Sequence, residues 1–148
     1  MALPFFYIME RILAIDYGRR RIGIAMSDEL GFTAQGLPTL HVRNKNHALA
    51  EVVAVIQAHQ PGQVVVGLPL NLDGSPSEMA TVVNEFVARL GHAIEIPICM
   101  LDERLTSVAA HRTMREMGIK QKNRKGTVDR LAAVYLLEIY LQQRASAV

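Results

Sequence analysis

The stretch from Arg11 to Asp28 reads RILAIDYGRRRIGIAMSD, and its pattern decides how the chain folds. Residues 11–16 are apolar on both faces, as in a central strand of a sheet that is covered on both sides. The turn YGRR follows, and residues 21–27 alternate like an antiparallel hairpin partner. Asp16 therefore ends a buried strand, where a carboxylate is unfavourable unless a cationic group meets it.

Beyond this hairpin, the sequence predicts alternating helices and strands. The predicted elements are a strand within 32–42, a helix over 46–60, a strand over 63–69, a helix over 76–90 that Gly91 ends, a strand over 94–101, and helices over 106–117 and 128–142. In the segment SPSE, Ser75 is expected to cap the second helix, with Pro76 at its first position and Glu78 closing a capping box. This order predicts an α/β fold with a mixed sheet and helices on its faces.

Length and composition fit one folded domain. The chain has 148 residues, half of them apolar, and a formal net charge of +2. We expect a single domain over 9–143. Residues 1–8 lack the basic start and cleavage site of a signal peptide. Because the segment MERILAIDYG from Met9 resembles the start of a protein, we expect residues 1–8 to be an extension outside the fold. The one cysteine, Cys99, excludes a disulfide framework and favours a cytoplasmic location. No apolar run approaches the length of a membrane span.

Acidic residues follow or end several predicted elements. Asp16 ends the first strand, Asp102 and Glu103 end the last strand, and Asp129 lies in the first turn of the last helix. Ligands gather at the carboxyl ends of parallel strands, and adjacent strands lie ~5 Å apart. Only one of Asp102 and Glu103 can face Asp16, and the longer Glu103 is favoured. Such oxygen ligands suit Mg²⁺ or Mn²⁺, and a pair of ions about 3.5–4 Å apart would promote phosphodiester hydrolysis.

Each acid also has an ordinary structural explanation. Asp16 precedes a turn, where aspartate is common. Asp102 and Glu103 fit surface ion pairs with Arg104, which contribute little energy. Asp129 fits a first-turn acid that interacts with the helix dipole. The metal-site hypothesis therefore depends on Asp16, Glu103 and Asp129 meeting in one place.

Positive charge is concentrated in the last third of the chain. Between Arg104 and Arg130 there are eight basic and two acidic residues. A basic loop beside a metal site suits the phosphate backbone of nucleic acid, although a solvated loop without a ligand is the alternative. The residues predicted to contact nucleic acid are Arg19, Arg20, Arg104, Lys120, Lys122, Arg124 and Lys125.

The chain resembles the YqgF family over about residues 9–142. The segments that carry the resemblance are AIDYGRRRIGIAMSD, VVVGLPLNLDGS, LDERLTS and KGTVDRLAAVYLLE. These bacterial RNase H-like proteins are described as Holliday junction resolvases or pre-16S rRNA nucleases. The resemblance implies an RNase H-like α/β fold with a five-stranded mixed sheet in the order 3-2-1-4-5. It also implies divalent-metal binding by Asp16, Glu103 and Asp129, and a cytoplasmic role in ribosomal RNA maturation.

The first functional hypothesis is a metal-dependent endonuclease that processes the 5′ end of precursor 16S rRNA, using Mg²⁺ or Mn²⁺. A Holliday junction resolvase is the alternative, and it would need a two-fold dimer, whereas trimming of RNA would not. A non-catalytic nucleic-acid-binding factor in ribosome assembly is a hypothesis of another class. An actin-like ATPase is the remaining one, since IDYG also resembles a phosphate loop, but 148 residues accommodate only one of its lobes.

Overall fold

The computed structural model describes residues 10–102 and 124–146, and these contain five strands and three helices. The elements are β1 (Ile12–Asp16), β2 (Arg21–Ser27), β3 (Ala34–His41), α1 (Lys45–His59), β4 (Gln63–Leu68), α2 (Glu78–Ala93), β5 (Ile98–Asp102) and α3 (Arg124–Ser146). The helix predicted over 106–117 and the N-terminal residues 1–8 lie outside the described residues. None of the described helices combines the length and apolar character needed to cross a membrane.

The strands form one mixed sheet in the order β3-β2-β1-β4-β5, which confirms the predicted topology. β1 pairs antiparallel with β2 and parallel with β4. Pro38 lies in the edge strand β3, whose register with β2 shifts between Ile22 and Ile24. Proline lacks a backbone N–H, and it is tolerated there because not every N–H of an edge strand is paired at a bulge.

Helices cover both faces of the sheet, also as predicted. Leu13 and Ile15 of β1 belong to a core cluster with α1 and α2, whereas Ile12 and Ala14 pack in a second cluster with α3. Successive side chains of a strand point to opposite faces, so β1 supplies both clusters. This complete burial explains why its sequence is apolar throughout rather than alternating.

Strands β1, β3, β4 and β5 all run in one direction, and we call the edge of the sheet at which they end the carboxyl edge. The hairpin turn between β1 and β2 lies there, as do the loop that leads into α1 and the loop that leads into α2. The first residues of β2 lie at the same edge. The carboxyl edge therefore brings Asp16, the arginine run and two helix beginnings together.

The start of α2 differs from the prediction. The N-cap is Ser77, not Ser75, because the Ser77 side chain accepts a hydrogen bond from the backbone N–H of Ala80 at 3.0 Å. Ser75 instead donates to Asp73 Oδ1 at 2.6 Å within the preceding loop. The predicted capping box was therefore wrong, since a competing turn uses the serine that the motif pointed to.

Three other boundaries also differ. α2 continues through Gly91 to Ala93, and β5 begins at Ile98 rather than at residue 94. α3 begins at Arg124 rather than at residue 128, so Asp129 lies beyond the first turn of this helix. The helix-dipole explanation for Asp129 therefore loses its basis, because that interaction is confined to the first turn.

Candidate active site

Asp16 lies at the carboxyl edge on the face of the sheet that α3 covers. It is the last residue of β1 and alternates with Ile12 and Ala14, which pack against α3. Its register partner on β2 is Gly23. Asp16 is half-buried, so it meets both the protein interior and the solvent at this edge.

Asp129 lies directly over Gly23, because α3 crosses the sheet there. A Cβ atom placed on Gly23 would lie 2.7 Å from the carbonyl carbon of Asp129, so any side chain at position 23 would collide with the helix. Gly23 and Asp16 are register partners, and such partners in an antiparallel pair have Cα atoms ~4.5–5.5 Å apart. The fold thus brings the Asp16 and Asp129 residues close together.

A second close contact holds the same part of α3. A Cβ atom on Gly36 of β3 would lie 2.7 Å from Cδ of Arg130. The helix therefore packs on bare backbone at two adjacent strands, β2 and β3. The Gly23 contact is with the backbone of α3, whereas the Gly36 contact is with the side chain of Arg130.

Arg21 binds the Asp129 carboxylate. Its Nε–H group donates to Oδ2 of Asp129 at 2.9 Å. The side chains keep 35% and 21% of their exposure, respectively, so the ion pair is partly buried. The arginine run after β1 therefore does supply a cation for an acid of this site, but that acid is Asp129.

Burial dominates the electrostatics of Asp129. It raises the pKa of the Asp129 carboxyl above the ordinary value of 3.8, while the hydrogen bond and charge of Arg21 and the charge of His41 act to lower it. A carboxylate in this condition is incompletely compensated. It would gain from a further cation.

The structure separates Asp102 from Asp16. Asp102 is the register partner of Leu68, which packs against the cluster on the α1 and α2 side. Cys99 and Leu101 of the same strand pack on the α3 side. The alternation of β5 therefore places Asp102 on the face opposite to Asp16. Glu103, the predicted third ligand, lies outside the described residues.

The described carboxylates fit a divalent ion in their chemistry. Asp16 and Asp129 carry hard oxygen donors and are both neighbours of Gly23 at a solvent-accessible edge, which suits Mg²⁺ or Mn²⁺. Within residues 10–102 and 124–146, no group of three His, Cys, Asp or Glu side chains is arranged to hold a metal. A third ligand from the remaining part of the chain would complete the predicted set.

Two of the predicted nucleic-acid contacts are described with their side chains. Arg19 forms an exposed ion pair with Glu78 at 3.3 Å and lies against Met79 at the start of α2. Arg20 is exposed and forms no ion pair within the described part of the chain. Arg104, Lys120 and Lys122 lie outside the described residues, and Arg124 and Lys125 are described only as the first residues of α3.

Sequence reasoning missed Gly23 as a site residue and missed the pairing of Arg21 with Asp129. A signal was available in the alternation of β2, since Ala25 packs toward α3 and positions 21 and 23 share its face. A glycine inside a strand pattern also indicates close approach of another backbone. What the sequence did not supply was the position of α3 above this strand.

A mixed five-stranded sheet in this order, with helices on both faces, is the RNase H-like fold. A family model described as "RuvX: Holliday junction resolvase" matches residues 10–143. The chain belongs to this family, which confirms the resemblance drawn from its motifs.

Relatives of similar length share much of the sequence. A protein of Koribacter versatilis named "Putative pre-16S rRNA nuclease" is 48% identical over 134 residues, covering 90% of this chain and 88% of that protein. A protein of Clostridium novyi with the same name is 42% identical over 131 residues, covering 88% and 97%.

Solved structures match the fold. Thermus thermophilus RuvC superposes with a TM-score of 0.59 at 15% identity, covering 92% of this chain and 96% of that one. The T. thermophilus RuvC structure in complex with a Holliday junction substrate matches with a TM-score of 0.58 at 16% identity, with the same coverage. At these identities the likeness concerns the fold alone.

Proposed function

We propose that this protein is a divalent-metal-dependent endonuclease that hydrolyses phosphodiesters of structured nucleic acid, with the 5′ end of precursor 16S rRNA as its substrate. Membership of the family and the names of the relatives support a nuclease. The observation that carries the proposal is the convergence of Asp16 and Asp129 at the carboxyl edge, although they belong to the first strand and the last helix.

In this proposal, Asp16, Glu103 and Asp129 hold Mg²⁺ or Mn²⁺ as oxygen ligands of a pair of ions. Such ions, when bound, lower the pKa of a bound water and stabilise the leaving oxygen of a phosphodiester. Asp16 contributes from a buried central strand, and Asp129 from a helix whose backbone packs on Gly23. Rigid mounting of this kind keeps the ligands in place without reorganisation during the reaction.

Basic residues around the carboxyl edge would hold the nucleic-acid backbone. Arg19 and Arg20 lie in the turn between β1 and β2, at the carboxyl edge. Arg124 and Lys125 begin the helix that carries Asp129. Arg104, Lys120 and Lys122 complete the proposed set. Contacts of this kind position the backbone and do not read its sequence.

Cleavage of a Holliday junction is the second candidate function. The description of the family model favours it, and the fold is shared with RuvC. Symmetric cleavage of a four-way junction needs a two-fold dimer, whereas the trimming of RNA is possible for a monomer. The solution mass of the protein, compared with 16.4 kDa for one chain, distinguishes these assemblies.

The proposal also includes the cellular location of the nuclease and the extent of its domain. A cytoplasmic location suits a chain with a single cysteine and a substrate in ribosome assembly. A single nuclease domain over 9–143 agrees with the range of the family match, 10–143. A non-catalytic assembly factor is the opposing hypothesis, and a cleavage assay decides between the two.

The test is cleavage by the purified full chain with Mn²⁺, on a precursor 16S rRNA fragment and on a four-way DNA junction. Asp16→Asn is expected to abolish cleavage while binding of the same nucleic acid persists, because the substitution removes a metal ligand and leaves the basic residues. Asp28→Asn is the matched control, since Asp28 follows β2 at the opposite edge of the sheet. Equal cleavage by the Asp16→Asn variant would overturn the proposal and indicate another site or a contaminating nuclease.

A further inference from the structure

Arg21 is the residue of the candidate site that binds the carboxylate of Asp129. It is the first residue of β2, and the alternation of this strand puts positions 21, 23 and 25 on the face that α3 covers. Gly23 lies beneath the backbone of Asp129. The side chain of Arg21 therefore lies on the α3 face of the sheet, two residues before Gly23, where the backbone of α3 contacts β2.

The ion pair between Arg21 and Asp129 differs from two exposed pairs at the carboxyl edge. In the pairs Arg19–Glu78 and Lys45–Glu85, every side chain is more than half exposed and the atoms are 3.3 Å apart. Exposed pairs of that kind contribute little. Asp129 is only 21% exposed and its pair is 2.9 Å long. A partly buried carboxylate needs a charged partner, and Arg21 provides it.

We infer that Arg21 is a built-in counter-cation of Asp129 that competes with a divalent ion for this carboxylate and thereby weakens metal binding. The inference rests on the proposed function, since it concerns the same metal site. Arg21 occupies Oδ2 of Asp129, and two cations at one carboxylate repel each other. The metal affinity is therefore lower than it would be without Arg21, but Arg21 offsets part of the charge of Asp129 and holds its carboxylate in place when no metal is bound.

A different role for Arg21, as a contact to the nucleic-acid backbone, leads to a different measurement. Loss of a phosphate contact weakens binding of nucleic acid and leaves the intrinsic metal affinity unchanged. Loss of a competing cation changes the metal affinity in the absence of any nucleic acid. The affinity of the free protein for Mn²⁺ therefore separates the two roles.

The test is the dissociation constant for Mn²⁺ of the full chain without nucleic acid, measured from the paramagnetic resonance signal of free Mn²⁺. Arg21→Gln is expected to bind Mn²⁺ about three- to tenfold more tightly than the wild type, because it removes a positive charge in contact with Asp129. Arg43→Gln is the matched control. Arg43 is exposed, lies near the same edge after β3, and forms no ion pair with a described residue, so the same loss of charge should change the constant less than about twofold.

Weaker or unchanged Mn²⁺ binding by Arg21→Gln would overturn the inference, as would equal tightening by Arg43→Gln. The proposed function fails separately, if the wild type binds no Mn²⁺ or if Asp16→Asn binds it as well as the wild type does. Arg21→Lys keeps the charge but not the guanidinium, and it should stay near the wild-type constant.

A second measurement uses the wild type alone and so does not depend on the folding of a variant. The Nε–H resonance of Arg21, assigned by through-bond connection to its backbone, is followed by NMR as diamagnetic Mg²⁺ is added. We expect it to shift with saturation of the site, since Mg²⁺ disturbs the bond to Asp129, while the Arg43 resonance stays in place. An Arg21 signal that does not respond to a saturating ion contradicts the competition.

Discussion

The carbonyl carbon of Asp129 lies 2.7 Å from the point that a Cβ atom on Gly23 would occupy. Gly23 is in turn the register partner of Asp16, so the glycine is the common neighbour of two acids that are far apart in the sequence. The absence of a side chain at this one position lets α3 approach the sheet. The geometry of the candidate site therefore depends on a residue that has no functional group.

Gly23→Ala is expected to displace the beginning of α3 and to weaken the site. The new methyl group would meet backbone, which cannot move aside as the tip of a flexible side chain can. Overpacking of this kind lowers the free energy of unfolding by about 1–3 kcal/mol. Chemical denaturation measures that change, and Mn²⁺ affinity, which we expect to fall, reports the displacement of Asp129.

Gly91→Ala is the matched control for this substitution. Gly91 is exposed within α2, and nothing outside the backbone of its own helix lies within 4 Å of the position that an alanine methyl group would take. Alanine in the interior of a helix is more stable than glycine by up to about 1 kcal/mol. The same chemical change should therefore stabilise the protein at position 91 and destabilise it at position 23, and equal effects would contradict the packing argument.

Ser77→Ala is expected to destabilise the protein more than Ser75→Ala. Ser77 caps α2 through Ala80 N–H and also donates to the backbone oxygen of Pro69, so its loss leaves two backbone groups without that partner. Removal of a serine cap lowers the free energy of unfolding by about 1 kcal/mol. Ser75 bonds only within an exposed loop, where substitutions change stability by less than about 0.5 kcal/mol. Thermal denaturation of the two variants measures the difference, and a larger loss at Ser75 would favour the capping box that the motif suggested.

The sheet was predictable because its signals are local. The uninterrupted apolar run of β1, the alternation of β2 and the apolar segment of β4 each follow from how many faces of a strand are buried. Their order along the chain then restricts the topology to few arrangements. The position of Asp16 at the carboxyl edge follows from the same local pattern.

The contacts of the site were less predictable because they join distant segments. The polar segment before Asp129 does not have the apolar periodicity of a helix. The pattern therefore predicts that α3 begins at residue 128, whereas it begins at Arg124. The pairing of Arg21 with Asp129 depends on where α3 lies over β2, which no local pattern encodes. The choice of Ser77 as a cap likewise depends on the loop that occupies Ser75.

The contribution of Asp28 to the stability of the folded protein is expected to increase as the pH rises from 3 to 5. Its Oδ1 atom accepts hydrogen bonds from the backbone N–H groups of Phe32 and Thr33 at 2.8 and 2.9 Å, and these bonds lower its pKa from the ordinary value of 3.8. A lowered pKa in the folded state gives a stabilisation that is present above pH 3.8 and disappears as the pH falls through the folded value. The melting temperature of the wild type minus that of Asp28→Asn should therefore increase from pH 3 to pH 5. A constant difference would contradict the charge-assisted role of these bonds.

Asp129 is expected to show the opposite pH dependence in the metal-free protein. Burial raises its pKa in the folded state, even though Arg21 and His41 act against this, so the folded protein holds the proton more tightly than the unfolded chain does. Stability contributed by this group is therefore highest below pH 3.8 and decreases as the pH rises from 3.8 through the raised folded value. The melting temperature of the wild type minus that of Asp129→Asn should fall over this interval, measured with a chelator present so that no metal is bound. An increase over the same interval, as expected for Asp28, would show that the ion pair with Arg21 outweighs the burial of the carboxyl group.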